Sequence, residues 1–179
     1  MRLFILITLF FASHAGLAMP SQIILLRHAE EPSKAEGQFL SEKGFRRALA
    51  LPSLFENKKP DILIALKPHK KNGSIRSIQT LQPLSQKLGI KLYSPFTRDE
   101  ISELIQFLAH APSVQGKKVV IAWQHLTLAE IAERLGASMA PRHWGGDIFD
   151  RYWVLDFENG QLVRFQNLPQ KLLRSDSTK

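Results

Sequence analysis

The feature that most constrains this chain is an alternation of short, apolar, β-branched runs with amphipathic stretches. Residues 22–26 (QIILL), 61–66 (DILIAL) and 118–122 (KVVIA) are apolar almost throughout and only five or six residues long. Such runs read as strands buried on both faces. Residues 90–93 suggest a shorter strand. Between the runs lie helical patterns. Ser41 is placed to cap a helix reaching about Phe55, with Phe45, Ala48, Leu49 and Leu54 as its apolar stripe. Ser74 is placed to cap a second helix, ended by Gly89 and expected to kink or break at Pro83. A third runs over about 99–109, and a fourth over 126–135 closed by Gly136. Residues 152–157 and 161–165 flank Asn159-Gly160, a strong hairpin signal. Strand–helix alternation of this kind predicts an α/β sandwich with a mostly parallel central sheet. The 179 residues suit one domain, with a polar, frayed tail from Lys171.

Residues 1–18 read as a signal peptide outside that domain, which would span 19–179. Arg2 supplies a positive start, residues 3–12 are apolar, and Gly16 and Ala18 fit the small positions before a cut. Ten apolar residues fall short of the ~20 that span a bilayer. The expectation is a periplasmic or secreted protein with no stable membrane insertion after cleavage. The chain has no cysteine, which excludes disulfides, thiolate nucleophiles and cysteine metal sites. Its net charge of +8 favours anionic partners. The local run Lys67, His69, Lys70 and Lys71 has no accompanying nucleic-acid motif, so a solvated loop is its plainer reading.

In open α/β sheets ligands bind beyond the carboxyl ends of the strands. Arg27-His28-Ala29-Glu30 directly follows the first strand, Arg76 falls in the first turn of the helix after the second, and Trp123-Gln124-His125 follows KVVIA. Two arginines and two histidines therefore converge on one sheet edge. A guanidinium is a planar fork of donors matched to phosphoryl oxygens. An imidazole among such cations resists protonation and stays nucleophilic at neutral pH. These groups suffice for phosphoryl transfer through a phosphohistidine, with no metal or other cofactor expected. His69 and His143 lack metal-ligand spacing, and Arg142 reads as a solvated loop residue.

The segments IILLRHAEEP, LSEKGFRRALALPSLF, IRSIQTLQPLSQKLGI, KKVVIAWQHLTLAEIAERLG and HWGGDIFDRYWVLDF together resemble the histidine phosphatase superfamily, which includes the cofactor-dependent phosphoglycerate mutases. The resemblance implies a three-layer α/β/α sandwich. It makes His28 the nucleophile, Arg27 and Arg76 phosphate ligands, and His125 the second histidine of the phosphate pocket. Ala29 stands where the common motif has glycine. The acidic proton donor has no unmistakable counterpart: Glu100 is the choice here, with Asp99, Glu103, Glu30 and Asp147 as alternatives. The implied activity is hydrolysis of a small phosphomonoester or phosphoramidate. A catalytically weak phosphoryl-binding module of the same fold is the rival.

Overall fold

The computed structural model describes residues 19–32, 37–70 and 73–177. The expected signal peptide and Lys71 lie outside these residues. Strands β1 (Gln22–Arg27), β2 (Ile62–Ala65), β3 (Leu92–Tyr93), β4 (Lys118–Trp123), β5 (Arg151–Glu158) and β6 (Gln161–Pro169) form one sheet in the order β3-β2-β4-β1-β5-β6. The first four are mutually parallel, and β5 and β6 add an antiparallel hairpin. Asn159 and Gly160 both take positive φ, as a tight hairpin turn requires.

Helices α1 (Glu42–Ala50), α2 (Arg76–Leu88), α3 (Ile101–His110) and α4 (His125–Arg134) complete the fold. The period-two alternation of the central strands sends Ile23, Leu25, Val119, Ile121 and Trp123 toward α3 and α4. It sends Ile24, Leu26, Val120 and Ala122 to the other face, against Leu81 and Leu84 of α2 and against Leu51 and Phe55. Three layers result, as expected. Trp123, Trp144 and Trp153 are core residues, whereas Arg142 and His143 are exposed.

Five local expectations need correction. The first helix stops at Ala50, and a 3-10 turn over Leu51–Phe55 takes over where Pro52 cannot donate a helical hydrogen bond. Its buried face is Gly44, Arg47 and Ala48, while Phe45 and Leu49 are exposed. The second helix continues through Pro83, and the Ser74 hydroxyl accepts only a long 3.4 Å bond from Arg76 N–H. The tail is anchored: Asp176 accepts from the backbone N–H groups of Leu172 and Leu173, and Ser177 N–H reaches Asp150.

Candidate active site

Strand register brings the first and third candidate segments together. Arg27 lies opposite Trp123 in the β1–β4 ladder, and His28 N–H continues it by donating to the Trp123 carbonyl at 2.9 Å. The chains leaving β1 and β4 thus diverge from adjacent points, one into His28 and the other into His125 at the start of α4. Gln124 before it makes no side-chain cap, so α4 opens without one at this edge.

Arg27 is buried with three constraints on its guanidinium. Nη1 donates to the Gly146 carbonyl, Nη2 donates to Glu31 Oε1 at 3.0 Å, and its carbon stacks 3.7 Å from the centre of the Phe149 ring. Nε is buried with no acceptor among the described residues. Burial lowers the Arg27 pKa to about 10, with Glu31 opposing and Arg76 reinforcing, so it is still charged at neutral pH. Gly146 also borders His125, because a side chain there would meet His125 Nε2 at 3.6 Å.

Arg76 opens α2 and is pinned from outside by backbone oxygens. Its Nε donates to Phe39 at 3.1 Å and its Nη2 to Gly37 at 2.7 Å, while Nη1 donates to Glu31 Oε2 at 2.5 Å. Thr80 ties this segment to the first: its hydroxyl accepts from Ala29 N–H and donates to the Arg76 carbonyl, both at 2.8 Å. Ala29 is fully buried.

His28 is buried, and its Nδ1 lies 2.8 Å from the Ala29 carbonyl. A carbonyl can only accept, so Nδ1 carries the proton and Nε2 keeps its lone pair. Burial lowers the His28 pKa to about 4, and the charges of Arg27 and Arg76 act in the same direction. His125 is lowered as well, by burial and then by Arg27. The site thus joins two permanent cations to imidazoles that are neutral at pH 7, one with a free nucleophilic nitrogen.

The carboxylates divide differently from expectation. Glu100 accepts from Thr97 N–H at 2.7 Å and from the Thr97 hydroxyl at 2.8 Å, which lower its pKa; the charges acting on it are Lys67 and His69. A carboxyl held in its ionised form within its own turn is not prepared as a neutral acid. Asp99 pairs with His69 at 3.2 Å, and Glu103 is exposed on α3. Glu30 is taken up by Arg47, through bonds of 2.9 and 2.8 Å. Asp147 is exposed and acts on Arg27 from a distance. Among the described residues, the carboxylate in contact with both phosphate-ligand candidates is Glu31, which sequence reasoning passed over along with Thr80, Gly146 and Phe149. Its one signal was position, beside the Arg-His pair. A cleft of about 350 Å³ lined by Lys67, His69, Lys70, Ser74, Arg98 and Gln124 opens beside the site.

No family model and no curated protein matches the sequence. Solved structures do. A candidate phosphohistidine phosphatase SixA of Agrobacterium tumefaciens is 22% identical, with 82% of this chain and 98% of that one covered at a TM-score of 0.55. A candidate alpha-ribazole-5′-phosphate phosphatase from Escherichia coli is 13% identical over 83% and 96%, at 0.60. The fold is that of the histidine phosphatases. A mycobacterial glucosyl-3-phosphoglycerate phosphatase, solved with inorganic phosphate, is 14% identical over 82% and 95%, at 0.56. At these identities the likeness establishes the histidine phosphatase fold, and the chemistry rests on the side chains described above.

Proposed function

We propose that the chain is a phosphatase that hydrolyses a small phosphomonoester or phosphoramidate through a phosphohistidine on His28. The observation that carries this reading is the state of His28: buried, neutral, with Nδ1–H donated to Ala29 and Nε2 unprotonated, among Arg27, Arg76 and His125. Nε2 attacks phosphorus, and the bond to the leaving oxygen or nitrogen breaks with its electron pair departing on that atom. Water then attacks the phosphohistidine, releasing inorganic phosphate and restoring neutral His28. The two guanidinium groups neutralise charge on the equatorial oxygens in both steps. In this reading His125 donates to the phosphoryl group.

The test is a rapid quench without acid followed by intact mass measurement. One phosphoryl group should appear on the wild-type protein and be absent in His28→Ala. Arg27→Ala and Arg76→Ala should each lower kcat/KM by roughly 10²-fold, the scale for losing a transition-state charge donor. A second reading, the weak phosphoryl-binding module, is favoured by the engagement of Glu100 with Thr97. Equal turnover of an aryl phosphate by wild type and His28→Ala would select it.

A further inference from the structure

Glu31 bridges the two arginines with one carboxylate oxygen on each, Oε1 to Arg27 Nη2 at 3.0 Å and Oε2 to Arg76 Nη1 at 2.5 Å. The remaining guanidinium nitrogens are occupied or buried: Arg27 Nη1 donates to Gly146 and its Nε is buried, while Arg76 Nε and Nη2 donate to Phe39 and Gly37. A phosphoryl group shared by Arg27 and Arg76 would therefore call on the donors that Glu31 now uses. Glu30, one residue earlier, is fixed on Arg47, whereas the Glu31 side chain is 35% exposed. It has somewhere to go.

We propose that Glu31 is a specificity-determining residue: an internal carboxylate that competes with phosphoryl oxygens for Arg27 and Arg76 and so sets the affinity of the site for phosphate dianions, product included. This holds only if Arg27 and Arg76 are phosphoryl ligands, as proposed above. The carboxylate keeps the two forks facing one another without substrate. It yields when a phosphoryl group enters and returns to expel inorganic phosphate. Small phosphate esters held by their phosphoryl group alone are penalised most. Substrates that also contact the adjoining cleft of Lys67, His69 and Arg98 can offset the penalty.

The experiment measures binding of inorganic phosphate by calorimetry to wild type, Glu31→Gln and Glu31→Asp, with turnover of an aryl phosphate followed in parallel. Like charges in contact at an effective dielectric constant of about 20 repel strongly enough to change affinity by more than tenfold. Glu31→Gln should therefore bind phosphate about tenfold or more tightly and show stronger product inhibition. Glu31→Asp keeps the charge but cannot span both arginines, so its gain should be smaller. Unchanged or weaker phosphate binding in Glu31→Gln, with wild-type turnover intact, overturns the competition and leaves the phosphatase reading standing. Absence of both phosphate binding and turnover in all three proteins overturns the two together.

Discussion

Replacing Arg47 by methionine should unfold the protein more readily than any change to its exposed arginines. The substitution keeps most of the aliphatic stem and deletes the charge. Arg47 is 2% exposed and makes two bonds to Glu30, at 2.9 and 2.8 Å, and two to Asp176, at 2.8 and 2.7 Å. Methionine would leave two inward-facing carboxylates against one half-exposed lysine, Lys43, 3.4 Å from Glu30. Breaking a buried ion pair from one side costs about 3–5 kcal/mol. Asp176 can withdraw with the tail, but Glu30 cannot, because its backbone lies in close contact with Gly44. For a chain of this size the loss corresponds to a fall in Tm of roughly 6–20 °C.

The pH dependence of that loss has a definite sign. Burial alone would raise both carboxyls, but the Arg47 hydrogen bonds and charge outweigh it and hold Glu30 and Asp176 low. A carboxyl depressed in the folded state adds stability above its unfolded pKa, about 4.3 for Glu and 3.9 for Asp, and loses it as pH falls through the folded value. Wild type should therefore weaken below about pH 4. Arg47→Met, whose stranded carboxyls gain by protonation, should weaken less, and the gap between the two proteins should close. Urea unfolding at pH 7 and at about pH 3, below both unfolded carboxyl values, measures both. A loss under ~1 kcal/mol at pH 7, the range of a surface pair, or a gap that widens in acid, would refute the buried-network reasoning.

Two further outcomes follow from the site itself. In NMR titrations the His28 ring should stay neutral on acidification until about pH 4, and an inflection near the ordinary histidine value of about 6.5 would contradict its burial among cations. Gly44→Ala, normally favourable in a helix by about 1 kcal/mol, should instead destabilise by about 1–3 kcal/mol and lower turnover, since the new methyl would meet the Glu30 carbonyl oxygen at 2.3 Å; a stabilised, fully active variant would overturn that sign.

The parts of the site that were legible in the sequence are those fixed by strand ends. Arg27 and His28 follow an unambiguous buried run, His125 follows another, and the rule that ligands gather at carboxyl ends needs no side-chain detail. Arg76 was legible because the helix pattern placed it in a first turn. Arg47 was not, because periodicity ranks positions by hydrophobicity and assigned the inward face of α1 to Phe45 and Leu49. The partner that permits its burial, Asp176, is 129 residues away. Phe149 and Gly146 belong to a loop whose path depends on the finished sheet. The engagement of Glu100 was not legible for a local reason: a carboxylate before a helix can satisfy nearby donors, and here Thr97 supplies them.

The adjacent carboxylates Glu30 and Glu31 show how one short loop serves stability and chemistry at once. Neighbouring residues in extended chain point to opposite sides. Glu30 is tied to Arg47, and its carbonyl accepts from both the N–H and the hydroxyl of Ser41 at the start of α1. These bonds fix the backbone two residues beyond His28, so the imidazole is held by the ladder bond to Trp123 before it and by this anchor after it. Among the described residues Glu31 makes no such commitment to the core; it pairs with the two cations that a phosphoryl group would need. Exchanging their roles would be costly in both directions. A labile carboxylate at position 30 would loosen the nucleophile, and a carboxylate locked at position 31 would block the arginines. The division therefore predicts different signatures for the two: loss at Glu30 should appear first in stability, and loss at Glu31 first in phosphate affinity.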